Sequence, residues 1–156
     1  MNIDESMLNR LTRLEREVER LRVGDKADST AFGRPVFLTT PLTSTSWDGD
    51  ARSTTAKTKI DLSAVFGVPA GVKAVIVKLV ARDSGSATGA IFFEVSPNNV
   101  SYSAAVIVSP RGLPNDTLAY TNGVVSCDAG GDIYYQIDAS GTDTLDCWLE
   151  IWGYWL

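Results

Sequence analysis

Asp132-Ile133-Tyr134-Tyr135-Gln136-Ile137-Asp138 is the stretch that decides the fold class. In an extended chain Ile133, Tyr135 and Ile137 fall on one face, and Asp132, Tyr134, Gln136 and Asp138 fall on the other. One apolar side and one wet side is the pattern of an antiparallel strand covered on a single face. Similar runs lie on either side: Val36–Thr40, Lys57–Leu62, Ala74–Arg82, Ala90–Ser96, Tyr102–Ser109, Thr117–Cys127 and Leu145–Trp155. Turn formers separate them at short intervals, among them Gly67-Val68-Pro69-Ala70-Gly71, Pro97-Asn98-Asn99, Pro110-Arg111-Gly112 and Gly130-Gly131. Short strands with no helical pattern between them predict a two-sheet antiparallel β-sandwich, jelly-roll-like, over residues 34–156. Val75, Val77 and Leu79 alternate less cleanly with Ala74, Ile76, Lys78 and Val80, which suits a central strand.

The last strand departs from this rule. Cys147, Leu149, Ile151 and Trp155 fall on one face and Trp148, Trp152 and Tyr154 on the other, and Glu150 interrupts the apolar run. A strand apolar on both faces needs cover on both. The preferred source is a neighbouring subunit, which makes Trp148, Trp152 and Tyr154 candidate interface residues. The alternatives are the loop of residues 41–56 folding over them, or an aromatic platform left open for a ligand.

At the other end, Met7, Leu11, Leu14, Val18 and Leu21 recur at alternating steps of four and three, the seam of a coiled coil. With Leu11 at a and Leu14 at d, the g positions are Arg10 and Glu17 and the e positions Glu15 and Arg22. A parallel partner sets Arg10 against Glu15 and Glu17 against Arg22, opposite in sign both times. Arg10-Leu11-Thr12-Arg13-Leu14-Glu15 resembles the trimer-directing hexad of short coiled coils, in which arginine packs over the core and meets the neighbour's glutamate. A parallel trimer is therefore expected over residues 1–23, with 24–33 as a polar linker after the helix stop at Gly24. A dimer, and a lone helix packed on its own domain, remain the alternatives. Exposed pairs give about 0.3–0.5 kcal/mol each, so six per trimer supply only about 2–3 kcal/mol. Contacts further along the chain must then help to hold three copies together.

Composition narrows the function. Apolar residues make up 44 % of the chain and there are four tryptophans, enough for a core. The net charge of −5 argues against nucleic-acid binding, which wants a basic face. No run of apolar residues is long enough to span a membrane. The opening Met1-Asn2-Ile3-Asp4-Glu5 does not have the form of a signal peptide, and its methionine suits a complete chain. Without histidine, general acid–base work falls to carboxylates, and nearly all aspartates here sit in turn-like contexts, so no enzyme is expected. Asp48-Gly49-Asp50 and segment 128–132 offer oxygens, but neither has the twelve-residue calcium-loop pattern, so no metal or cofactor is expected. Cys127 and Cys147 read as small buried hydrophobes, with a disulfide between neighbouring strands as the alternative.

One constellation suits a sugar. Trp47 lies in a polar loop beside Asp48 and Asp50, and Asn98 and Tyr102 cluster near a hairpin tip; aromatic faces next to polar side chains are a common sugar site. The competing reading, which weighs more for Trp47, has it tuck back onto the sandwich or pin its loop.

The layout of stalk, linker and C-terminal sandwich resembles bacteriophage virion appendages. Glu94-Val95-Ser96-Pro97-Asn98-Asn99-Val100-Ser101-Tyr102 looks like a hairpin of phage fibre and tail domains, with Asn98-Asn99 where Asp-Gly is usual. The aromatic ending Trp148-Leu149-Glu150-Ile151-Trp152-Gly153-Tyr154-Trp155 has the same look. The absence of repeats or a long shaft favours a small head fibre, decoration spike or tail-tip knob. The resemblance implies a homotrimer located in the virion, a dock on capsid or tail proteins, and a knob that stabilises the particle or touches the host. The alternative is a carbohydrate-binding module that recognises a host surface glycan.

Overall fold

The computed structural model describes residues 10, 12–18, 33–87 and 89–156. The chain divides into two units, Met1–Arg34 and Pro35–Leu156, each described by itself. In the first unit, Arg10 and residues 12–18 (α1) are helical, and all of them are exposed. Leu14 is 61 % exposed and Val18 53 %. The seam residues Met7, Leu11 and Leu21, and Arg22 beside them, lie outside the described residues.

The second unit is an antiparallel two-sheet sandwich. In chain order it contains β1 (Pro35–Leu42), β2 (Asp48–Arg52), β3 (Thr55–Ile60), a short helix α2 (Leu62–Phe66), β4 (Ala74–Asp83), β5 (Phe92–Ser96), β6 (Val106–Val108), β7 (Ala119–Ser126), β8 (Ile133–Asp138) and β9 (Leu145–Trp155). One sheet runs β1-β9-β4-β7, with β2 also along β9; the other runs β3-β8-β5-β6. The pairings are nested. β1 pairs with β9, β3 with β8, β4 with β7 and β5 with β6, as in a long antiparallel ribbon rolled so that its two layers face each other. Between the layers lies one core, to which β4 and β9 contribute Val77, Leu79, Leu149 and Ile151, and the other sheet Phe93, Val95, Ile133 and Ile137. Burying each such side chain stabilises the fold by about 1.5–3 kcal/mol.

The observed strands follow the alternation in β4, in β7 and in β9 as far as Ile151, whereas in β8 Gln136, expected on the wet side, is buried. Two elements had no such signal. β2, Asp-Gly-Asp-Ala-Arg, has no apolar alternation and is held by its pairing with β9. α2 begins where strand continued in the sequence reading. Asp61 caps it by accepting from the Ala64 N–H at 2.9 Å, and Gly67 ends it at φ 70° with its N–H on the Leu62 and Ser63 carbonyls. The strand expected over Tyr102–Ser109 shortens to Val106–Val108.

β9 carries a correction. Its register against β4 slips between Ile76 and Val77: Ile76 faces Gly153, Val77 faces Ile151, and Trp152 is the extra residue of a β-bulge. A bulge reverses which side chains face inward. Beyond it Tyr154 pairs with buried Val75 and packs against the core, while Gly153 and Trp155 share the outer side with Ile76 and Ala74. Trp148 and Trp152 therefore lie on the outer face, but Tyr154 does not join them.

Candidate functional site

The residues expected around a sugar do not gather. Ser44 starts a single 3-10 turn, Thr45–Trp47, which swings Trp47 inward until it is 5 % exposed. Its ring stacks on Phe93 at 5.3 Å and 14° and meets the edge of Tyr135 at 4.8 Å. The Arg52 guanidinium lies 3.7 Å from the ring centroid and is tethered to the Ser46 carbonyl. Phe93 and Arg52 leave the indole no open face, so Trp47 is a core residue and not a sugar platform. Asp48 and Asp50 are exposed on β2, beside β9. Between them Gly49 takes φ 90°, and the Trp148 indole lies so close that a Cβ would sit 2.7 Å from its Cζ2.

At the β5–β6 hairpin the expected Asn98-Asn99 turn is replaced by a longer loop. Asn98 accepts from the Val100 N–H at 3.0 Å through its side chain and from the Ser96 hydroxyl at 2.8 Å through its carbonyl. The positive φ falls on Tyr102, at 57°. Its N–H donates to Gln136 Oε1 at 2.9 Å, while the ring stays 73 % exposed and meets Phe92 edge-on at 6.0 Å. Beneath this loop lies a feature that sequence reasoning missed. Lys57 Nζ donates to Glu94 Oε1 at 2.6 Å and to the Ser103 carbonyl at 3.3 Å, and the paired side chains are only 2 % and 3 % exposed. Lys57 and Glu94 are 37 positions apart, and only the sheet order β3-β8-β5 brings them together.

Two acidic groups have structural partners. Asp128 and Asp132 share Lys59, at 3.3 and 2.7 Å, so the lysine ammonium stands where a calcium ion would need their oxygens. Hydrogen bonds to Asp132 and Asp128 hold the Lys59 ammonium well above the usual lysine range. Burial pushes Asp128 up, but the N–H groups of Asp132 and Gly130 and the lysine bring it below the usual carboxylate range. Asp83 is fully buried and accepts from the N–H groups of Gly85 (2.6 Å) and Ser140 (3.1 Å), from the Thr144 hydroxyl (3.1 Å) and from the Ser140 hydroxyl. Burial raises the Asp83 carboxyl, and these donors outweigh it and lower the net value. It ties the segments after β4 and β8 together. Both cysteine thiols are free, and burial pushes each up to about 12. Among the described residues no group of three or more His, Cys, Asp or Glu is placed to hold a metal, and no helix is long and apolar enough to cross a membrane.

The outer face of the β1-β9-β4-β7 sheet is the remaining candidate surface. Cross-strand rows alternate in character along it. Tyr120, Val80 and Trp148 form one row; Asn122, Lys78 and Glu150 the next; Val124, Ile76 and Gly153 the one after. Lys78 pairs with Glu150 at 3.2 Å, Trp152 Nε1 donates to the same carboxylate at 2.8 Å, and Arg82 pairs with Asp146 at 2.7 Å.

No protein-family profile and no curated protein matches the chain. Solved structures do. The coat protein of Tobacco streak virus aligns over 78 % of this chain and 86 % of its own, at 8 % identity and a TM-score of 0.41. Arthrobacter globiformis T6 isomalto-dextranase in complex with panose aligns over 61 % of this chain and 15 % of its own, at 16 % identity and a TM-score of 0.34. The exo-β-1,3-galactanase of Phanerochaete chrysosporium with galactose aligns over 78 % and 26 %, at 11 % identity and a TM-score of 0.32. Similarity at this level carries no functional argument.

Proposed function

We propose that this chain is a non-enzymatic structural protein that acts as a homotrimer: a bacteriophage virion appendage whose N-terminal helices bundle and whose β-sandwich forms a knob. The observation that carries the reading is the apolar stripe of α1, where Leu14 and Val18 stand in solvent flanked by Arg10, Glu15 and Glu17. Exposed apolar residues flanked by charges that match in sign across a parallel partner, as Arg10 does Glu15, suit a helix that meets copies of itself. The strand order adds support. Setting β2 aside, the nested order is that of a jelly roll, an architecture used by viral capsid and lectin domains. This second support is a fold-level analogy. The stalk end docks on a capsid or tail protein, and the knob faces outward.

The mass of the full chain in light scattering tests the trimer. Three copies are expected for the wild type, and a single copy would refute the reading. Gold-labelled antibody on purified particles tests the location, and particles without label would remove the virion assignment. Release of reducing ends from host polysaccharide would overturn the non-enzymatic reading.

Host glycan contact is the second reading, favoured by Tyr102, an exposed ring on a loop held from beneath by Lys57 and Gln136. A trimer would present three weak sugar contacts at high effective concentration. Binding on a glycan array that Tyr102→Ala abolishes is expected from it; binding that survives the substitution refutes it.

A further inference from the structure

We infer that the outer face of the β1-β9-β4-β7 sheet is where the knobs of neighbouring copies meet, so that the sandwich holds the assembly together independently of the stalk. This rests on the trimeric reading above. Tyr120 and Val124 on β7 are 76 % and 55 % exposed, and Phe37 on β1 is 71 % exposed. Partly exposed Trp148, Trp152, Val80 and Ile76 lie between these flanks. These side chains gather on one face of the sheet, and clusters of large exposed apolar side chains rimmed by polar ones mark interaction sites.

The charges on this face identify the occupant as another copy. Cations stand on one strand, Lys78 and Arg82 of β4, and anions on its neighbour, Asp146 and Glu150 of β9. Every one of these charges is already paired within the face, so covering it leaves none without a counter-ion. The two columns also lie side by side, with cations toward β7 and anions toward β1 and β2. When copies repeat around an axis, the β4–β7 side of one meets the β9–β1 side of the next. Positive then faces negative at every junction, and the apolar rows between the charged rows come into contact. A face with one sign of charge would repel its own copy; this one is complementary to it. β2 seats Trp148 on Gly49, so the indole is fixed before any partner arrives.

The test uses the full chain. In Leu14→Asp, which disrupts the stalk, association into trimers is expected to persist and to strengthen with protein concentration. Adding Tyr120→Glu and Val124→Glu should weaken that association by about 100-fold or more, because two carboxylates would be buried without partners. Both side chains are largely exposed in the single chain, so the far-ultraviolet circular dichroism of the triple variant should match that of Leu14→Asp. Acrylamide quenching of tryptophan gives a second readout: slower quenching in the wild-type trimer than in the triple variant. A Leu14→Asp chain that stays single at every concentration, together with a wild-type trimer whose tryptophans quench as readily, overturns the knob interface and leaves the stalk trimer standing. A dimer in place of the trimer overturns the cyclic arrangement. A wild-type chain that is itself single overturns the trimeric reading first.

Discussion

Replacing Lys57 by methionine should destabilise the knob far more than an ordinary surface lysine would. The pair with Glu94 is nearly fully buried, at 2.6 Å, and Lys57 also satisfies the Ser103 carbonyl. Methionine keeps the length of the side chain but leaves a buried carboxylate and a carbonyl without their donor. Breaking such a pair from one side costs about 3–5 kcal/mol. For a unit of this size each kcal/mol moves the melting temperature by about 4 °C, so the midpoint should fall by roughly 12–20 °C. Replacing both partners by apolar residues, Lys57→Met with Glu94→Leu, removes the stranded charge and should recover half of the loss or more. The assay is thermal and urea unfolding of wild type, single and double variants at one fixed protein concentration, since association shifts the midpoint. A single variant within about 1 kcal/mol of wild type, or a double variant no better than the single, would refute the burial argument.

Trp47→Ala should cost about 3–5 kcal/mol of unfolding free energy, because it empties the space between Phe93, Tyr135 and Arg52. A loss under about 1 kcal/mol would mean that the indole is not core. Asp83 titrates below its unfolded value of about 3.9. The stability it contributes is therefore present above roughly pH 4 and lost as pH falls further. Asp83→Asn should flatten this acid limb in urea midpoints measured against pH, and an unchanged slope would count against it. Both thiols should resist Ellman's reagent at pH 8 in the folded protein and react once it is unfolded in urea, because burial holds each at about 12. Rapid labelling of either cysteine in the folded state would contradict this.

The strands were readable wherever one side is covered. β4 alternates because a core lies on one side of it, and the pattern is local; in β8 the burial of Gln136 under the Tyr102 loop breaks the alternation. β2 was not readable, since a polar pentapeptide becomes a strand only when β9 is there to pair with it. Trp47 drew two readings, and the weightier, that it tucks back onto the sandwich, agrees with its burial. Ser, Thr and Asp around it suggest exposure, but one tight turn sends the side chain inward against the chemistry of its neighbours. The bulge at Trp152 had a signal in Gly153, because glycine inside a strand marks a bulge or a close approach. A Cβ there would stand 2.7 Å from the Val36 carbonyl. The Lys57–Glu94 pair had no local signal at all. Its partners become neighbours only through the strand order, which no window of sequence contains.

The position of β9 has a consequence for biosynthesis. The last eleven-residue strand is the middle of its sheet, flanked by β1 and β2 on one side and β4 on the other. Until Leu145–Trp155 has been made, those earlier strands have no common neighbour, and Val77, Leu79 and Ala81 lack the strand they lie against in the finished sheet. Without β9 those strands keep unpaired edges, the kind that pair with other chains. Closure waits for Leu145–Trp155 to take its place between them. A chain interrupted before Leu145 would lack the strand that joins β1, β2 and β4.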